Sequence, residues 1–406
     1  MKRTFFVVIG FVWASATGLA RQDSSFVPGH SYFGRNQYIE YIAGNSPYVV
    51  SAPHGGTLTP SEIPDRTSGE TVRDTNTDTL AKTIGAAVFA HEGVYPHIII
   101  CHLRRTKLDA NRDLSEATEG GNQYAVQAWK EFQSFIDTAE QAVNRDFGKG
   151  FYVDLHGHGH VIQQLELGYI LSRSTLGLSD NTLDNNTYYA NSSSIRSLVP
   201  LSGISFSKLL RGPNSLGTLF ENQGFPATPS GPRPSPSNSD YFSGGYNTER
   251  HGSLGGGPVS GVQIECNMTG VRENAESWSK FSTAFAEVIQ YYTDLHIFHK
   301  PATAVRDESP LPERFALLQN YPNPFNPTTT ISYQLIANSF VTLEVFDVLG
   351  RKVTTLVDAT RTPGAHLVRW DGSGFSSGVY FYRLQARDVV TGSERLVETK
   401  KMLLIR

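Results

Sequence analysis

The chain of 406 residues is 39% hydrophobic and 18% charged, with a formal net charge of −3. That length favours two or three domains over one, and the near-neutral balance leaves no electrostatic footprint for nucleic acid or an anionic membrane surface. Two cysteines, Cys101 and Cys266, exclude a disulfide framework and a multi-cysteine metal site; a single disulfide and two inert thiols both stay open.

Residues 1–20 have the layout of a secretory signal peptide. Lys2 and Arg3 precede a short apolar run, and small residues follow at 14–16 and 18–20. The run is shorter than the ~20 apolar residues of a membrane span, and no later segment is long enough. The expectation is an exported, soluble protein. Apolar runs at 47–53, 97–103, 151–156 and 261–266 predict buried strands. Between and after them, periodic stripes predict helices over 75–92 (Leu80, Ile84, Val88), over 122–146 (Trp129, Phe132, Ile136, Val143), and through Trp278, Phe281, Phe285 and Ile289. This alternation predicts an α/β domain over 21–300, its mostly parallel or mixed sheet flanked by helices. Residues 227–240, rich in Pro and Ser, predict a surface loop near the active face.

From 316 onward the pattern changes to short alternating strands separated by Gly, Pro, Asn and Asp. This predicts a small all-β, immunoglobulin-like sandwich over 316–406, after a linker at 301–315. The stretches "LLQNYPNPFNPTTTISYQL", "VFDVLGRKV", "GSGFSSGVYFYRL" and "KKMLLIR" resemble the type A C-terminal sorting domain of the type IX secretion system. The resemblance implies the type IX machinery as a partner, passage through the periplasm, and a secreted or cell-surface destination.

Chemistry-bearing residues gather just after the predicted strands, where open α/β sheets place their sites. They are His54 in "SAPHGG", Asp74 and Asp78 in "VRDTNTD", the group "RRTKLDANRD" (Arg104, Arg105, Asp109, Asn111, Arg112, Asp113), and His156, His158 and His160 in "VDLHGHGH". Asp74 also suits a helix N-cap. Glu265 lies inside an apolar strand, and a carboxylate there must be paired or used. Two histidines and a carboxylate form a common catalytic zinc set.

In this order the segments resemble the N-formylglutamate amidohydrolase family, relatives of zinc carboxypeptidases and aspartoacylases. "FSGGYNTERHG" and "VQIE" complete the likeness, which covers residues 47–295. It implies a phosphorylase/hydrolase-like, zinc-exopeptidase-like fold and one zinc ion (Zn2+). His54, Asp74 and His156 are the expected ligands, with Asp74 preferred over Asp78 and Asp65 because the carboxypeptidase-like His-x-x-Glu pair is missing. Glu265 is the expected general base and Arg105 the oxyanion partner. Asn111, Arg112, Tyr246 and Arg250 are expected to bind a small-molecule or peptide substrate with a free carboxylate. The implied activity is hydrolysis of a C–N amide bond in an N-acyl amino acid. A secreted zinc peptidase acting on cell-wall or γ-glutamyl peptides is the nearest rival, and a non-catalytic surface binding module the third reading.

Overall fold

The computed structural model describes residues 26–300, 314–389 and 391–405. The expected signal peptide and most of the expected linker lie outside the described residues. In chain order the first domain contributes β1 (Ser31–Phe33), β2 (Ile39–Ile42), β3 (Tyr48–Ala52), β4 (His97–Cys101), β5 (Gly150–Gly157), β6 (Leu165–Gly168), β7 (Ala227–Thr228) and β8 (Val259–Cys266). They form one mixed sheet in the order β1-β2-β4-β3-β5-β8-β6-β7. The central four, β4-β3-β5-β8, are parallel. Helices cover both faces of these strands, which is why they read as near-continuous apolar runs.

Alternation along β3 sets the two layers. Val50 packs with Leu80, Ile84 and Val88 of α1 (Thr77–Glu92) and with Phe281, Phe285 and Ile289 of the helix Ala275–His296. Val49 faces the other way, toward Trp129, Phe132, Ile136 and Val143. These lie on α3 (Gln123–Phe147), which follows the short α2 (Leu114–Thr118). The buried rings dominate the core; cutting Phe132 to alanine is expected to cost about 3–5 kcal/mol. Cys101 and Cys266 are buried free thiols, not a disulfide. β3 and β5 stand between their strands, and strands about 4.8 Å apart put the two cysteines beyond disulfide reach.

The C-terminal region is all-β, with antiparallel sheets β13-β10-β9 and β12-β11-β14-β15. These strands are β9 (Ala316–Leu317), β10 (Thr328–Leu335), β11 (Ser339–Phe346), β12 (Lys352–Arg361), β13 (Gly364–Asp371), β14 (Gly378–Asp388) and β15 (Glu394–Leu404). Phe325, Trp370, Tyr382 and Met402 are among its buried core. The region rests on α1 through the Pro/Asn run at 320–327. Tyr321 lies so close to Gly85 that a Cβ there would come within 2.3 Å of the ring, and the ring stacks on Tyr95 with centroids 5.2 Å apart. Among the described residues no helix is long and apolar enough to cross a membrane.

Candidate active site

The polar cluster forms at the C-terminal ends of the parallel strands. His54 follows β3 and is almost fully buried. Gly55 and Gly56 behind it serve packing within the protein: a Cβ on either would come within 2.5 Å of the Asp78 or His102 backbone. Asp74 enters from the turn before α1. It does not cap that helix, because α1 opens at Thr77 behind Asn76, which lies in the left-handed region (φ 71°) without a side-chain cap bond. The Asp74 carbonyl accepts from the Thr77 hydroxyl (2.9 Å), while its carboxylate turns inward to the histidines.

The Asp74 Oδ2 atom lies 3.1 Å from His156 Nδ1 and 3.4 Å from His54 Nδ1. The two imidazoles meet edge to face, centroids 4.8 Å apart. Each outer nitrogen has its own carboxylate. His54 Nε2 is 2.7 Å from Asp109 Oδ1, and His156 Nε2 is 2.9 Å from Asp154 Oδ2. A carboxylate accepts, so the outer nitrogen of His54 donates and its Nδ1 keeps a lone pair. That Nδ1 is buried without a hydrogen-bond partner, and its lone pair faces a carboxylate. The contact is repulsive unless a cation stands between them, either a metal ion or a second proton on the ring. Two imidazole nitrogens converging with a carboxylate oxygen, each imidazole backed by a carboxylate, are the donor set of many zinc sites, and the three ligand atoms lie within 4.8 Å of one another. The residues therefore fit a zinc ion. Asp65 is outside the group, exposed and paired with Lys107 at 3.0 Å, and Asp78 sits in the first turn of α1.

Charge around the cluster is tightly balanced. Burial by itself would raise the Asp74 pKa, but the bonds to His156 and His54 hold it well below the carboxylate range. Asp109 behaves alike, pulled down by His54 and Arg105 against its burial. Arg105 Nε donates to Asp109 Oδ2 at 3.0 Å, and its Nη1 stands 3.8 Å from Asp74 Oδ1. Glu265 is the direct neighbour of His156 across the β5–β8 ladder. It is 5% exposed and accepts one bond, from Gln263 Nε2 at 2.9 Å. Burial pushes its pKa up to about 8; His156 opposes this, while Asp74 and Glu166 add to it.

Asn111 belongs to the scaffold of the site: Nδ2 lies 3.2 Å from His156 Nε2 and Oδ1 accepts from the Asn247 amide at 2.8 Å. Arg112 is at the periphery, half-exposed, with Nε 3.7 Å from Glu116. Tyr246 and Arg250 line a separate cavity of about 380 Å³, and Arg250 is paired with Asp137 at 2.9 Å. β5 ends at Gly157, so His158 and His160 lie in the loop beyond, outside the cluster. Asp113 caps α2 by accepting from the Ser115 and Glu116 amides.

Sequence reasoning assigned no role to Gln263, Arg272 or the His54–Asp109 pairing. Arg272 donates to the carbonyls of Cys266, Thr75 and His158, clamping the segments that carry the site; a Cβ at Gly157 would fall 2.3 Å from its guanidinium carbon. The i, i+2 spacing of Gln263 and Glu265 on a strand was a readable sign that both face one side.

Among solved structures the chain is similar to N-formylglutamate amidohydrolase from Ralstonia eutropha, with 14% identity, a TM-score of 0.36, and coverage of 61% of this chain and 94% of that one. It is also similar to a gene product of Agrobacterium tumefaciens, with 12% identity, a TM-score of 0.38, and coverage of 63% and 95%. No curated protein sequence matches. Residues 319–398 match the secretion system C-terminal sorting domain, so the all-β region is a sorting domain and the chain is a secreted or cell-surface protein.

Proposed function

We propose that this protein is a zinc-dependent amidohydrolase, exported through the periplasm by the type IX route, that cleaves the amide bond of an N-acyl amino acid or a related substrate with a free carboxylate. One observation carries the reading. His54 and His156 each give the outer nitrogen to a carboxylate and turn the inner one toward Asp74, beside a buried Glu265.

His54, Asp74 and His156 would hold the ion. A bound zinc ion lowers the pKa of water to about 7, giving a nucleophile near neutral pH. In this reading Glu265 accepts the proton of the attacking water and returns it to the leaving amine; a cation nearby would lower its raised pKa toward that of a working base. Arg105, fixed by Asp109, offers donors to the oxygen on which negative charge develops. Arg112 is the half-exposed guanidinium available to a substrate carboxylate, which it can grip bidentately, with Asn111 beside it. Tyr246 and Arg250 act on parts of the substrate farther from the scissile bond. The reaction consumes one water and yields a carboxylic acid and an amine.

The test is release of free amine from a panel of N-acyl amino acids by the zinc-loaded mature protein, beside Glu265→Gln. Amine release that the variant loses supports the reading. Zinc-loaded protein that releases none, or a variant as active as the parent, overturns it.

A further inference from the structure

Beside the site is a second opening, a cavity of about 650 Å³ lined by Arg73, Arg104, Val72 and four threonines. Its walls are the segments 71–75 and 104–106, and the same segments carry two residues of the site. Asp74 lies between Arg73 and Thr75, and Arg105 between Arg104 and Thr106. Both are buried, while Arg104 is exposed and Arg73 half-buried. Burial alternates along both segments, so Asp74 and Arg105 are enclosed while the two arginines line the cavity. Arg105 Nη1 donates to the Val72 carbonyl at 3.4 Å, joining the walls.

The lining holds two guanidiniums, four hydroxyl-bearing residues and no carboxylate. Among the described residues neither Arg73 nor Arg104 forms a side-chain hydrogen bond or ion pair, whereas nearby Arg35, Arg66, Arg105 and Arg112 all have carboxylate partners. Asp65, which senses the charge of Arg104, is held by Lys107 at 3.0 Å. Two guanidiniums without an ion pair in one cavity favour an anionic occupant, although the Glu70 carboxylate accepts from the Thr71 and Val72 amides at its edge. The volume falls in the range of sites for drug-sized ligands, which suits a chain of atoms better than a lone oxyanion. We infer that the cavity holds an acidic acyl chain: the substrate is an acidic peptide or peptide-like N-acyl amino acid whose carboxylates pair with Arg73 and Arg104. This rests on the amidohydrolase reading above for the position of the scissile bond, but not for the binding itself.

Binding without turnover separates the two. Triglutamate, triglutamine and inorganic phosphate are titrated calorimetrically into the full-length Glu265→Gln protein, alone and combined with Arg73→Gln and Arg104→Gln. We expect triglutamate to bind at least about tenfold tighter than triglutamine, roughly the worth of one charge-assisted contact. Arg104→Gln should reduce the preference and the double substitution should remove it. Equal binding of the two peptides overturns the assignment, as does a preference that survives the double substitution. Displacement of triglutamate by phosphate at equal concentration would reassign the cavity to a single oxyanion and likewise overturn it. If the hydrolase reading fails alone, the binding difference persists; if the cavity assignment fails alone, hydrolysis of small N-acyl amino acids persists.

Discussion

Two groups of imidazoles and carboxylates meet at the end of β5, and their nitrogens differ in what they have left to give. In the group of His54, Asp74 and His156, the outer nitrogens are taken by Asp109 and Asp154 and the inner ones converge on a carboxylate. In the group of His158, His160 and Glu166, His158 is fully used by the backbone: Nδ1 accepts from the His160 amide at 3.1 Å and Nε2 donates to the Gln164 carbonyl at 2.8 Å. His160 Nδ1 lies 2.7 Å from Glu166 Oε1, and its ring stacks on Phe242. Both sets hold three ligand atoms close together. In the first, both imidazoles turn their inner nitrogens to one carboxylate and His54 Nδ1 is buried without a hydrogen-bond partner, whereas both nitrogens of His158 are tied to backbone, so residue type and proximity alone do not make a metal site.

The sharpest way to break this contrast is His156→Ala, which should remove the ion and reduce amine release to background, read by metal analysis and by assay. Glu265→Gln should keep the ion and lower kcat by about 10²–10⁴-fold, the usual worth of a positioned general base. Asp109→Asn leaves all three ligands in place but removes the charge behind His54; metal affinity should fall by about 10–100-fold in a competition titration with a chelator. Acidity tests the same point. Burial lowers the His156 pKa, but Asp154 and Asp74 raise it well above the usual histidine value, so without metal the ring keeps its proton to higher pH than a free histidine. Metal must displace that proton. Affinity should therefore climb with pH by up to about tenfold per unit and level off above the raised pKa. Calorimetry in buffers of different ionisation enthalpy should register the released proton. The smallest effect is expected in the second group: Glu166→Gln should leave the ion count unchanged and cost about 1 kcal/mol of stability, read from thermal or urea unfolding.

Much of the fold was legible because its strongest signals are local. The four central strands and the three long helices announce themselves by apolar runs and stripes. α1 begins at Thr77 and not at 75, because Asn76 takes a left-handed turn that periodicity does not register. The short helices between Arg173 and Asn222 span four to seven residues, too few for a periodicity to emerge. In the site, Asp154 and His156 share a strand face, so their partnership could be read from i, i+2 spacing. Asp109 lies 55 residues from His54, and only the folded sheet brings them together. The sorting domain was legible from its Asn-Tyr-Pro-Asn-Pro-Phe-Asn-Pro run, but the seat of Tyr321 against Gly85 was not, since that contact joins two domains.

The central claim is that the lone pairs of the first group, and not those of the second, hold the metal. The most direct measurement is the metal content of three purified proteins side by side: the parent, His156→Ala and His158→Ala. The account predicts about one zinc per chain in the parent and in His158→Ala, and none in His156→Ala. Zinc retained by His156→Ala, zinc lost from His158→Ala, or a metal-free parent after zinc loading would contradict it.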